Sequence, residues 1–247
     1  MPTNKAEVNE KQYNDQNIKA LKGEDRVRLR PAVIFGSDGL EGCEHAFFEI
    51  LSNAVDEARE GYGDEIIITV FNDRSLMVDD HGRGVPLGYN EREKRWNWDL
   101  IYNELYAGGK YDNNDSGSYE FSLGTNGLGA CSTQYSSEYM TVQSFNGTSE
   151  SSIKFKKGRP ASKLTVRELG KNEKRTGTVV HWKPDLEVFT DINIPREFFE
   201  DVLHRQAVVL SGVCFTLRYQ NEDGSFDEKK FVYSNGIVDY INEIVGN

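Results

Sequence analysis

The sequence predicts an α+β fold built on a mostly antiparallel sheet, and three observations predict it. The elements come in the order helix, strands, a long glycine-rich segment, strands, helix, hairpin, which is not the strand and helix alternation of a parallel sheet. The strand candidates are short, rich in β-branched and aromatic residues, and divided by turn sequences at 72–75, 146–147 and 221–224. One long amphipathic helix, His45 to Glu60, has a whole apolar side to lay on a core.

In chain order, residues 1–16 are polar, with Tyr13 as their only aromatic, and are expected to form a flexible arm, leaving 17–247 as the folded domain. Ile18 to Arg30 predicts a short helix closed by Pro31. Ala32 to Phe35 is an apolar run, followed by a turn at 36–39 and then the long helix, which Gly61 and Gly63 end. Ile66 to Phe71 and Leu76 to Val78 read as a hairpin whose second strand runs into the polar cluster 79–86, a place where sites form. Asp99 to Tyr106 predicts a short helix, with Trp96 and Trp98 before it as core or cover. Residues 107–129 carry six glycines and little apolar periodicity, as lids do. Ala130 to Gln134 reads as helical. Tyr139 to Phe145, Ser152 to Phe155, Leu164 to Glu168 and Thr178 to Trp182 read as successive strands of a meander. Asp191 to Pro195 caps a helix running to Leu210, Val213 to Tyr219 and Lys230 to Tyr233 form a hairpin, and Ile237 to Val245 is a final helix.

Bulk properties exclude several classes. A net charge of −11 argues against a basic nucleic-acid-binding face on this chain, though not against a DNA-directed role for a longer protein. Cys43, Cys131 and Cys214 are odd in number and far apart, so neither a disulfide framework nor a zinc site is expected. No apolar run reaches the ~18 residues of a membrane span, and the N-terminal stretch has no signal-peptide core. The expectation is a cytoplasmic protein without a membrane partner.

Three stretches can carry chemistry. On a helical wheel His45, Glu49, Ser52, Asn53, Asp56 and Glu60 fall within about 60° of Glu49, opposite Phe47, Ile50, Leu51, Ala54 and Val55. The row is either a solvated face or, because a mid-helix Asn between carboxylates is a poor helix former, a site for a hard cation and a water. Asp80 to Gly84 places a carboxylate at a strand end beside two glycines, which serves either a β-turn or a flat ligand lying close to the backbone. Arg83 there can pair with Glu57 or Asp56. Gly124 to Gly129 before a helix is either a flexible loop or a cradle of backbone N–H groups for an anion. No GxxxxGK[ST] occurs, nor a GxGxxG between strand and helix. Thr178 is ordinary at the start of a strand.

In that order the row Glu49, Asn53, Asp56, then DxGxG at 80–84, then GxxGxG at 124–129, then Gly177 and Thr178 resembles the GHKL ATPases, which include type II topoisomerases, Hsp90, MutL and histidine kinases. DHGRGVP (80–86) and LYAGGKY (105–111) narrow the resemblance to the B subunits of DNA gyrase and topoisomerase IV, and 18–31 and 175–191 match as well. The resemblance implies a two-layer sandwich with helices on one face of a mixed, mostly antiparallel sheet. It implies Glu49 as general base for the attacking water, with His45 orienting it, and Asn53 as the ligand of Mg²⁺. Asp80 would bind the adenine amino group of ATP, beside Thr178 and a water, and Asp56, Gly84 and Pro86 would line the nucleotide. Lys110 and the amides of Gly108, Gly109, Gly124, Asn126, Gly127, Leu128 and Gly129 would hold phosphates. Tyr13 would lie on an arm that crosses to a second copy of the protein when ATP closes the dimer.

The chain departs from the family at His81, where an acidic residue is common, at Leu123 and Asn126, where gyrase B has Gly and His, and by a short insertion at 115–120. Family members continue into a transducer domain, whose Lys contacts the γ-phosphate, and a Toprim region. The chain is therefore expected to be a monomeric nucleotide-binding fragment with slow hydrolysis alone, acting with the cleavage (A) subunit and DNA in the full protein. The alternatives are an Hsp90-type chaperone domain and a nucleotide-sensing module without turnover.

Overall fold

The computed structural model describes residues 20, 21, 23–106 and 127–246. The expected arm with Tyr13, and the expected phosphate contacts Gly108, Gly109, Lys110, Gly124 and Asn126, lie outside these residues.

The described chain opens with two short helices, α1 (Asp25–Arg28) and α2 (Pro31–Phe35). Pro31 was expected to close a helix; it also starts one. Its fixed φ suits the first helical position, where the missing N–H has no partner to lose. Gly36 (φ 79°) ends α2 in the left-handed region. The long helix α3 (Leu40–Arg59) begins earlier than its polar and apolar periodicity. Gly42 makes this possible: a Cβ there would lie 2.1 Å from the carbonyl oxygen of Ser37.

The main sheet contains β1 (Glu65–Val70), β2 (Leu76–Asp80), β5 (Ser137–Asn146), β6 (Ser149–Lys156), β7 (Arg159–Pro160), β8 (Thr165–Glu168), β9 (Thr176–Pro184), β10 (Cys214–Gln220) and β11 (Phe226–Phe231). The spatial order is β11-β10-β1-β2-β9-β5-β6-β7, with β8 also on β6. β1 and β10 pair parallel, and the other pairs are antiparallel. A separate hairpin, β3 (Tyr89–Asn90) with β4 (Arg95–Trp96), precedes α4 (Asn97–Asn103). The helix expected over Asp99 to Tyr106 thus starts and stops earlier. Trp98 packs over Phe155 at 6.1 Å, whereas Trp96 is half exposed. The remaining helices are α5 (Gly129–Tyr135), α6 (Arg196–Val209) and α7 (Ile237–Val245).

The expected meander holds only in part. β5, β6 and β8 follow one another, but β9 crosses back and inserts between β2 and β5. Strand composition does not encode which edge a strand joins; the register of buried residues does. Val78, Val180 and Val142 are cross-strand partners, as are Leu76, Trp182 and Met140, and all six are buried. Ile68 of β1 continues the Val78 row to Leu217 of β10, and Val70 continues the Leu76 row to Tyr219. The helices cover this face, giving the two layers. Phe47 of α3 meets Phe199 of α6 edge-on at 4.9 Å, with both rings fully buried. Asp80 falls on the same face, opposite Ile66, so the pleat points a carboxylate at the helices.

Phe47→Ala deletes a ring from the contact between α3 and α6, and its expected cost is about 3–5 kcal/mol of unfolding free energy. Urea denaturation followed by circular dichroism measures it.

Candidate functional site

The polar row on α3 begins at His45. Its Nδ1 lies 3.2 Å from the carbonyl oxygen of Phe35, and its Nε2 lies 3.1 Å from Oε1 of Glu49. A carbonyl only accepts, so Nδ1 carries a hydrogen. Nε2 is then the ring atom that faces Glu49. The other oxygen of Glu49 rests against the start of α5: a Cβ added to Gly129 would lie 2.1 Å from Oε2. Gly127 and Leu128 are brought to the same end of the row by the chain entering α5. Asn53, one turn further on, is exposed. Ser52 and Asp56 are buried, although the helical wheel placed them on the polar face. The row is therefore only partly open to solvent.

The second cluster forms where β2 ends. Oδ1 of Asp80 accepts the backbone N–H groups of Gly82 (2.9 Å) and Thr178 (3.0 Å). Burial is the main influence on this carboxyl and pushes its pKa up to about 6; the two N–H donors oppose the rise, while Glu57 and Asp79 add to it. Asp80 is 6% exposed, and its Oδ2 receives no hydrogen bond from the described residues. A buried carboxylate with one oxygen fully engaged and the other open is an acceptor waiting for a donor. Thr178 completes the frame, since its Oγ1 accepts the N–H of Val85 at 3.0 Å.

In the turn that follows, the Cβ positions that Gly82 and Gly84 lack are occupied by the protein itself. A Cβ on Gly82 would lie 2.9 Å from Cβ of Glu57. One on Gly84 (φ 86°) would lie 2.5 Å from the carbonyl oxygen of Phe145. Arg83 makes a two-pronged pair with Glu57 (2.8 and 2.9 Å) and covers the ring of Tyr62 at 3.9 Å. Pro86 is exposed.

These contacts make α3 the common wall. Glu49 touches the start of α5, and Glu57 touches the turn after Asp80. The two residues are eight positions apart, about 12 Å along the helix axis. Among the described residues no group of three or more His, Cys, Asp or Glu side chains could hold a metal ion by itself. Sequence reading assigned no role to Arg175 and no conformational role to Gly177. Gly177 (φ 123°) sits so close to β2 that a Cβ would lie 1.9 Å from the carbonyl oxygen of Asp80; a glycine inside a strand is the signal for such an approach. Arg175 has no local signal, because its partners Asp79 and Phe145 come from other strands.

No family model matches the chain. It is 34% identical to the DNA gyrase B protein of Thermotoga maritima over 93% of its own length and 35% of that protein's. It is 36% identical to the DNA topoisomerase 4 B protein of Enterococcus faecalis over 94% of its length and 33% of that protein's. The chain thus spans about a third of the curated relatives it matches. Among solved structures it superposes on the 43K ATPase domain of Thermus thermophilus gyrase B, determined with an aminocoumarin. That match has a TM-score of 0.75 and 30% identity, and covers 92% of this chain and 56% of the other. Over the part of those proteins that it spans, the chain belongs to the family of the DNA gyrase and topoisomerase IV B subunits, with the fold of the gyrase B ATPase domain.

Proposed function

We propose that the chain binds ATP along α3 and hydrolyses it, as the nucleotide-handling part of a gyrase-like type II topoisomerase. The observation that carries this reading is the pairing, along one helix wall, of an open buried carboxylate at one end with the His45 and Glu49 pair at the other. Asp80 accepts a hydrogen bond from the 6-amino group of adenine through Oδ2. It repels guanine, which presents an oxygen at that position. Thr178 stands beside it. Asp56, Gly84 and Pro86 line the nucleotide beside it.

At the other end Glu49 accepts the proton of the attacking water, and His45 holds the carboxylate in place through the 3.1 Å contact of its Nε2; a positioned base is typically worth ~10²–10⁴-fold. The exposed amide oxygen of Asn53 fits Mg²⁺, a hard cation that takes few protein ligands and keeps waters and phosphate oxygens for the rest. When bound, that ion supplies neutralisation of phosphate charge. Gly127, Leu128 and Gly129 offer backbone N–H groups to the phosphates, and Gly108, Gly109, Lys110, Gly124 and Asn126 share that role. The domain reading has 17–247 as the nucleotide-binding unit and 1–16 as an arm with Tyr13 that joins two copies of the protein in an ATP-dependent dimer. In the full protein, hydrolysis drives DNA strand passage with the cleavage subunit in the cytoplasm; this chain alone turns over slowly.

Calorimetric titration with a non-hydrolysable ATP analogue and Mg²⁺ tests the base site. The chain is expected to bind, and Asp80→Asn to lose about 1.5–3 kcal/mol of affinity, the range for a hydrogen bond to a charged group. Equal binding by both would sink the assignment of Asp80. The same substitution is expected to stabilise the ligand-free protein. The folded-state pKa of about 6 lies above the ordinary 3.8, so the folded state holds the extra proton between these values and stability falls as pH rises through that window. Asp80→Asn keeps the acceptor for Gly82 and Thr178 without the charge. Its advantage in urea unfolding should be on the order of 3 kcal/mol at pH 8 and vanish below about pH 4. Glu49→Gln is expected to leave analogue binding within about threefold while lowering single-turnover hydrolysis ~10²–10⁴-fold. Unchanged hydrolysis would remove Glu49 from the reaction.

A further inference from the structure

The β2–β9 ladder ends one residue early. Its last pair is Asp79 with Val179, and the same antiparallel register would next join Asp80 to Thr178. That pair does not form between main chains. Thr178 gives its N–H to the side chain of Asp80 instead (3.0 Å), and Gly177 presses against the Asp80 carbonyl with no room for a Cβ. The Asp80 carbonyl takes its donor from elsewhere: Nη2 of Arg175, at 3.0 Å. The guanidinium is itself fixed on two sides. It makes a two-pronged pair with the carboxylate of Asp79, with Nη1 3.1 Å from Oδ2, and it lies over the ring of Phe145, 4.7 Å from the centroid. Both members of this ion pair are largely shielded, with side-chain exposures of 29% and 16%.

We propose that Arg175 is a positioning residue for base recognition: clamped between Asp79 and Phe145, it supplies the ladder bond that Asp80 lacks and so aims the free Asp80 carboxylate oxygen at the nucleotide base. This rests on the reading of Asp80 as the adenine acceptor. The physical reason lies in the planar fork of the guanidinium. It reaches a carboxylate and a carbonyl at once, which the point charge of a lysine cannot do in the same geometry. With the Asp80 main chain held from below, the direction of its side chain depends on two backbone N–H groups and on nothing mobile. Without the clamp, the strand end can rotate, and Oδ2 no longer meets a donor at fixed distance.

The test compares a non-hydrolysable ATP analogue with its inosine counterpart, each with Mg²⁺, by calorimetry on the 247-residue chain and on Arg175→Lys, Asp79→Asn and Asp80→Asn. Inosine shares the ribose and phosphates but presents an oxygen where adenine presents an amino group, so a general loosening of the fold weakens both ligands alike. Arg175→Lys is expected to lower the preference for adenine about tenfold, the worth of one charge-assisted hydrogen bond, with inosine binding nearly unchanged. Asp79→Asn should do the same, and the double variant should add little, because both act through one clamp. Equal weakening of the two ligands, or an unchanged preference in both variants while Asp80→Asn abolishes it, overturns the role of Arg175 and leaves the base reading standing. A parent that does not discriminate, or an Asp80→Asn variant that still does, overturns the base reading and this inference with it.

Discussion

A charged group placed under a sheet is the constraint on which the rest of this structure turns. Asp80 ends β2 on the helix-covered face, in line with Ile66 and Phe215, where an apolar residue would be the stable choice. Its carboxylate keeps two backbone N–H bonds, one from its own turn and one from a strand 98 residues away. Those bonds do not offset burial, which is why the pKa stands near 6. Stability is given up at this position, because a buried carboxyl costs more than its two N–H bonds return. The surrounding glycines follow from the same constraint. Gly177 lets β9 come close enough for Thr178 to reach the carboxylate, and Gly84 lets the returning turn pass beneath Phe145.

The second organising fact is that α3, 20 residues long, connects the two polar clusters. Its apolar side is held by Phe199 of α6 and by the sheet, so the row from His45 to Glu57 is carried on a rigid wall rather than on loops. Residues from α2, α5 and the β2 turn dock onto that row at Phe35, Gly129 and Gly82. Geometry at the His45 and Glu49 pair and at the Asp80 turn is therefore linked through one helix. A shift of α3 along its axis would disturb both.

Legibility in the sequence differed from element to element. The long helix, the hairpin of β1 and β2, the strands of β5 and β6, the closing hairpin and α7 were readable, because periodicity and turn residues are local signals. The order of residues 49, 53, 56, 80–84, 124–129 and 177–178 was readable as a family pattern for the same reason, since each piece is short and its spacing is carried by the chain. The path of β9 was not. Four strands in succession fit a meander, and nothing in Thr178 to Trp182 says that they will lie between β2 and β5. The turn glycines were legible as glycines but not in purpose, because what occupies their missing Cβ positions is backbone from distant strands. The burial of Asp56 and Ser52 likewise followed from neighbours that a helical wheel cannot see.

By itself, then, the sequence determined the class of fold, the amphipathic wall and the identity of the groups that carry charge and protons, for these follow from side-chain chemistry and short-range spacing. Only the tertiary structure decided that Thr178 meets Asp80, that Gly129 closes on Glu49, and that Arg175 fastens the end of β2. Each of these depends on the register between segments far apart in the chain. Register is set by the packing of whole buried rows, and no residue in them encodes it alone.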